Sequence, residues 1–360
     1  MKLTTLLLAT STNNNINANK NTTSEILWKH LEEHGFVVLT VPKKSSAGDV
    51  IRVMQETLHN DLFPITTTTT TASNKCNNGT NKNAANLQSG SIYISERGVP
   101  MWKVGYEECD AIREAFRVHA GSPDAQPWPN HIVRRNWLAG MCLCRHVCDA
   151  ALGLTLQYNS KSRHLHRPGS GVCSWRKSMN NNFDKDANQK LKRQSYHELP
   201  EGELPDRSGD YSVFYSMHYF NDEESRMARF GGQVTGSDDV RLNVKEHVDP
   251  SLFVLEPFLA EKEGLQVFNP VNKEWLTCDG PTSPIHDVVN TDDEIAMVLF
   301  VGRAFAEQSV SRGRNVQATL HRVVAGKDGI GGSDIYGHSH RRTVIYEQKY
   351  EEYFPEAALD

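Results

Sequence analysis

The feature that most constrains this chain is the rhythm of its C-terminal half. From residue 211 the apolar residues fall into short runs at 211–219, 251–258, 265–269, 295–301, 316–324 and 343–346, with turns rich in Gly, Pro and Asp between them. Short strands at this density imply an antiparallel sandwich or barrel rather than βαβ units. No internal repeat, coiled-coil heptad, G-x-G-x-x-G fingerprint or phosphate loop interrupts that reading.

The first half reads differently. Residues 1–24 are expected to be disordered or to form a short targeting segment, because the stretch from 10 to 23 is mostly Ser, Thr and Asn and offers little to pack. An amphipathic helix is expected from Glu25, built on Ile26, Leu27, Trp28 and Leu31, with Ser24 as its cap and Gly35 as its stop. Phe36–Val41 then reads as a strand and 49–59 as a second helix. Helices are also expected at 106–119, where Ile112, Ala115, Phe116 and His119 can share a face, and at 137–154. Residues 66–90 form a Thr- and Asn-rich insertion, and 160–207 are polar and basic, suiting a lid or a surface loop. The expected organisation is a helix and strand region over 25–207, a catalytic core over 208–350 and a tail over 351–360.

Composition narrows the partners. Of the 360 residues 38% are hydrophobic, enough for a substantial core, and the net charge of -5 opposes a phosphate-tracking surface. The seven cysteines are odd in number and irregularly spaced, which favours reduced thiols. Cys142, Cys144 and Cys148 lack a second ligand pair and read as part of a buried segment rather than a zinc site. No apolar run is long enough to span a bilayer, and the Met1–Ala9 start is a poor signal sequence. The expected partner is therefore a small-molecule substrate, with no nucleic acid and no membrane. The chain is expected to be a cytoplasmic monomer, with an organellar address as the alternative.

The chemistry centres on His247-Val248-Asp249. Alternation along a strand puts an imidazole and a carboxylate on one side, and with a distant second histidine they make the two-His-one-carboxylate triad of non-haem Fe(II). His321, after the strand-like Gln317-Ala-Thr-Leu, is the candidate third ligand. Arg341 and Thr343, spaced i, i+2, can hold a carboxylate with a guanidinium and a hydroxyl. Two rival pairs, His338 with His340 and His164 with His166, lie in loop-like surroundings and are not expected to ligate.

In this order the pieces resemble the Fe(II)/2-oxoglutarate-dependent dioxygenase superfamily, in its isopenicillin-N-synthase-like branch. The matching residues are His247-Val-Asp249, Gly264-Leu-Gln-Val267 with Trp275, Val301-Gly302, His321-Arg322-Val323 and Arg341-x-Thr343. Upstream, Leu31–Phe36 and Arg113-Glu114-Ala-Phe116 resemble an N-terminal segment and the helix that follows it. The resemblance implies a mainly β fold with α, a double-stranded β-helix (jelly roll) core of eight strands behind an N-terminal helical region. It implies Fe(II) on His247, Asp249 and His321, with O₂ and 2-oxoglutarate as cosubstrates and Arg341, Thr343 and Tyr219 on the far carboxylate. Met217, where many relatives carry Asn, and Arg303, near a usual acidic position, depart from the pattern.

Arginines 113, 134 and 303 are candidate anchors for an anionic substrate, with Arg97 and Arg135 behind them. The chain is further similar to the kainoid synthases of marine algae, which implies oxidative cyclisation of an N-prenylated glutamate. The alternatives are hydroxylation or desaturation of another specialised metabolite, an oxidase that uses no 2-oxoglutarate, and a cupin-like binding protein.

Overall fold

The computed structural model describes residues 17–64, 104–110, 113–120, 128–156, 210–220, 242–280, 283–285, 289, 292–324, 340–350 and 353. The expectations for 66–90 and 160–207, and for Arg97, His164, His166 and His338, lie outside those residues.

The described elements are α1 (Asn17–His34), β1 (Phe36–Pro42), α2 (Ser46–Thr57, continued by a π turn over Leu58–Leu62), β2 (Gly105–Asp110), β3 (Arg113–His119), α3 (His131–Thr155), β4 (Val213–Phe220), β5 (Leu242–His247), β6 (Phe253–Glu256), β7 (Leu265–Asn269), β8 (Glu274–Thr277), β9 (Glu294–Val301), α4 (Arg303–Val310), β10 (His321–Val324) and β11 (His340–Glu347). The strands form a seven-stranded sheet, β1-β9-β6-β11-β4-β3-β2, and a four-stranded sheet, β5-β10-β7-β8. Every strand pairing in them is antiparallel, as the short runs required. Eight strands, β4 to β11, come from Val213–Glu347, and the N-terminal region adds β1 to one edge of the large sheet and β2 and β3 to the other.

Strand alternation divides the large sheet into two working faces. Phe116 and Val118 of β3, Phe214 of β4, Leu255 of β6, Leu299 of β9 and Val344 and Tyr346 of β11 pack against α1, α2 and α3 in the main core. Trp137 of α3 is fully buried there, with Phe214 at 5.6 Å between ring centroids. Each such side chain contributes roughly 1.5–3 kcal/mol through removal from water. Asn130 caps α3 by accepting from Val133 N at 2.9 Å, and Ser45 caps α2 by accepting from Gly48 N at 3.1 Å. The opposite face of the sheet turns toward the small sheet across a cavity.

Two expectations are corrected here. Residues 106–110 and 113–119 are the paired strands β2 and β3, not a helix: Arg113, Ala115 and Arg117 face the cavity side while Glu114, Phe116 and Val118 face the helices. Ala115, Phe116 and His119 satisfy helical and strand spacing alike, and pairing of β3 with β4 over its whole length decides the matter. The first helix starts at Asn17 rather than after Ser24, inside the stretch expected to be disordered. Ser24 caps nothing; its hydroxyl donates to Leu154 O at 2.7 Å, and Thr23 beside it is buried, so packing on α3 overrides the weak local propensity. Cys142, Cys144 and Cys148 are buried in α3, and burial pushes the Cys144 and Cys148 thiols well above their usual range.

Candidate active site

The register of the small sheet assembles the centre. His247 ends β5 and stands directly opposite His321, which begins β10, with ring centroids 4.2 Å apart. Asp249 lies just beyond β5 and reaches both rings, with Oδ1 3.5 Å from His247 Nε2 and Oδ2 3.3 Å from His321 Nε2. The three donor atoms lie within 4.8 Å of one another, and among the described residues this is the cluster able to hold a metal ion. Adjacent ligands at about 2.1 Å from a common ion stand about 3 Å apart, so little movement would complete the coordination.

Backbone carbonyls set the orientation of both rings. His247 Nδ1 is 2.8 Å from Lys245 O and His321 Nδ1 is 3.1 Å from Thr319 O. A carbonyl only accepts, so each Nδ1 carries the proton and each Nε2 lone pair faces Asp249. Three acceptors then converge with no donor among them, an arrangement that a cation satisfies. Without one, a proton does part of that work: the hydrogen bond to Asp249 holds His247 above its usual pKa despite partial burial. Burial would raise Asp249, but its bond to His247 and the facing imidazoles hold it below the usual carboxylate range. His321, almost fully enclosed, is lowered by burial.

The turn carrying Asp249 is fixed from behind. Asp249 O accepts from Arg303 N at 2.8 Å, and Leu252 O accepts from Gly302 N at 2.9 Å. A Cβ on Gly302 would stand 2.0 Å from Ser251 O, so only glycine allows this approach.

Beside the three ligands opens a cavity of 310 Å³, walled by both sheets. Arg341, Tyr219 and Arg113 are cross-strand neighbours in one row on its wall. Arg341 is 1% exposed and lies 5.3 Å from the centre of the Tyr219 ring; burial pushes that phenol up to about 12. Its guanidinium donates to Asp279 Oδ2 from Nε at 2.8 Å and from Nη2 at 2.5 Å. The other aspartate oxygen, Oδ1, accepts from Gly264 N at 2.9 Å and Leu265 N at 2.8 Å. Glu256 Oε1 lies 3.6 Å from Arg341 Nη2. Arg341 Nη1 and Glu256 Oε2 are both buried without a hydrogen-bond partner, and both residues line the cavity. Farther along the wall Arg117 pairs with Glu107, Tyr215 Oη donates to Glu347 Oε1 at 2.8 Å, and Lys349 pairs with Glu347.

The structure thus brings together His247, Asp249, His321, Arg341, Tyr219 and Arg113 around one cavity. Thr343 is fully buried on the same sheet face but is not part of the lining. Arg134 lies on α3, across the large sheet from the cavity, and the Arg303 side chain points to solvent. His340 bonds His218 at 2.9 Å on the helix-covered face, away from the three ligands. Glu256, Asp279, Arg117, Tyr215 and Glu347 escaped the sequence reading; the one local signal was an acid closing the apolar strand Phe253–Glu256.

No known protein-family model and no curated protein matches the chain. Solved structures do. A full-length protein of Neurospora crassa, in complex with alpha-KG and 5-formyluracil, aligns over 100% of this chain and 90% of its own with a TM-score of 0.51 and 13% identity. The dioxygenase for auxin oxidation of rice aligns over 97% of this chain and 82% of its own with a TM-score of 0.50, also at 13% identity. The likeness is one of fold, two antiparallel sheets on either side of a cavity. Within that fold stands the donor set of a non-haem iron centre.

Proposed function

We propose that this chain is a non-haem Fe(II)- and 2-oxoglutarate-dependent dioxygenase acting on a small anionic metabolite. The observation that carries the reading is the convergence of His247 Nε2, His321 Nε2 and an Asp249 carboxylate, with both rings locked in the ligating tautomer. Two imidazoles and one carboxylate suit Fe(II) and leave adjacent positions open. The residues fit the cosubstrate as well, since Arg341 lines the cavity that the three ligands border and its buried Nη1 has no hydrogen-bond partner. The similar Neurospora protein is itself bound to alpha-KG.

Iron with O₂ and 2-oxoglutarate supplies an oxidant able to break an unactivated C–H bond. The protein's part is to bind and orient. His247, Asp249 and His321 hold the metal; Arg341, with Tyr219 beneath it, receives the distal carboxylate of the cosubstrate. Thr343 acts from behind the lining. The apolar wall of Val213, Met217, Val244, Leu265, Phe300 and Ile345 offers few partners to water around the reacting carbon.

Arg113 and Arg117, on one side of the same cavity, support a substrate with a carboxylate. Oxidative cyclisation of an N-prenylated glutamate, the reaction of the kainoid synthases in the isopenicillin-N-synthase-like branch, meets that description. A hydroxylation or desaturation of another carboxylated metabolite meets it equally. Product mass separates them, since cyclisation and desaturation remove two hydrogens and hydroxylation adds oxygen.

The test is an anaerobic titration of metal-free protein with Fe(II) and then 2-oxoglutarate, following the weak visible band of the iron chelate. The expected result is a band in the wild type, its loss in His247→Ala, and a much higher 2-oxoglutarate requirement in Arg341→Ala. Iron binding without a band in the wild type would instead indicate an oxidase needing no oxo-acid, and absence of iron binding would refute the metal assignment.

A further inference from the structure

We infer that Glu256 is a cosubstrate-binding residue which, as the neutral acid, donates a hydrogen bond to the distal carboxylate of 2-oxoglutarate beside Arg341. The inference rests on the reading of this pocket as a 2-oxoglutarate site and specifies how the site handles charge.

Two buried acids share one arginine here. Asp279 is 0% exposed and Glu256 is 2% exposed. Were both ionised, the cluster would carry a net negative charge at the place where another anion must dock. Their surroundings decide which one keeps the proton. Burial raises Asp279, but Asp279 receives four N–H donors, from Gly264, Leu265 and two guanidinium nitrogens of Arg341, and only a carboxylate accepts that many. Glu256 has one oxygen, Oε2, that is left without a hydrogen-bond partner. A buried oxygen of that kind is far less costly as a hydroxyl than as part of an anion.

Burial also pushes Glu256 up to about 8, with Arg341 and the Thr343 hydroxyl opposing it and Asp279 adding to it. The groups that face Glu256 are Arg341 and Thr343 from β11, Asp279 and Cys278 from the segment after β8, and Tyr219 from β4. With Asp279 neutralising Arg341 from behind, two donors are left unsatisfied on residues that line the cavity, Arg341 Nη1 and the Glu256 hydroxyl. A carboxylate has two oxygens to meet them. Below pH 8 the cosubstrate enters as its dianion with no proton exchanged. Above it the ionised glutamate repels the ligand and must take one proton from solvent as the complex forms.

The experiment is calorimetric titration of 2-oxoglutarate into the anaerobic Fe(II)-loaded protein at pH 7 and pH 9, in buffers of different ionisation enthalpy. Pyruvate has the chelating end without the distal carboxylate and serves as the internal comparison. The expected result is 2-oxoglutarate binding about tenfold weaker at pH 9 than at pH 7, with nearly one proton taken up at pH 9. Pyruvate should show neither effect, and Glu256→Gln, whose amide still donates, should bind well at both pH values. Identical pH courses for the two oxo-acids in the wild type, or an undiminished pH effect in Glu256→Gln, would overturn the inference. Proton uptake by the wild type decides the matter even if the variant folds poorly. Failure to bind 2-oxoglutarate at either pH, with iron held, would overturn the cosubstrate reading itself; binding without the pH effect overturns only the role of Glu256.

Discussion

Gly264 is where a single missing methyl group shapes the pocket. A Cβ there would lie 2.4 Å from both Cδ and Nε of Arg341, so the arginine can cross the start of β7 only over a glycine. Gly264→Ala is expected to keep Fe(II) binding and to weaken 2-oxoglutarate by about tenfold or more, measured by anaerobic titration. Asp279→Ala acts on stability instead. It leaves the buried guanidinium without its paired charge, and urea denaturation should show a loss of about 3–5 kcal/mol. The three ligands and Arg341 were readable because each sits in a short motif whose chemistry is local. Asp279 was not, because it meets Arg341 only where the two sheets face each other, across 62 positions of chain. Glu256 carried a faint signal as the one acid in an apolar strand, but which face it took depended on the register with β11.

At the scale of elements, the C-terminal strands were legible and the paired strands β2 and β3 were not. Short apolar runs between turns specify antiparallel strands almost by themselves, and six of the eight core strands coincide with those runs, while the more polar β5 and β8 fall between them. Residues 113–119 bury side chains on both faces, which blurs the period-2 pattern into something a helix could also satisfy. Only pairing with β4 separates the two, and pairing is a long-range property. The junction of β9 with α4 is the other element on which the site depends. Gly302 lets the Asp249 turn seat against it, and a methyl group would drive into Ser251 O. Gly302→Ala should therefore lower stability by about 1–3 kcal/mol and weaken Fe(II) as well, whereas ordinary overpacking elsewhere in the core would lower stability alone. Thermal unfolding and iron titration on the same preparation distinguish the two.

For the molecule as a whole, buried titrating groups set the pH course of metal-free stability. His119, inside the fold, is lowered by burial from 6.5 to about 4, so between those values the unfolded chain holds the extra proton and stability rises with pH. Glu256 works in the opposite sense: raised from 4.5 to about 8, it keeps in the fold a proton that the unfolded chain has released, and its contribution falls through that window. From pH 6.5 upward each lowered histidine adds at most about 0.4 kcal/mol as the unfolded chain sheds its remaining proton, against the opposite slope from Glu256 and the raised His247. Urea midpoints should decline between pH 6.5 and 8, with a Glu256 share of about 2 kcal/mol that is absent in Glu256→Gln. The order of strands in the large sheet carries one more consequence. β11, the last strand described, lies at its centre between β6 and β4 and bears Arg341. A nascent chain still short of residue 340 on the ribosome has its three ligands within reach but no middle to its sheet. A chain cut before residue 340 is therefore expected to lack both the middle of the large sheet and the arginine of the cavity wall, and to hold iron poorly.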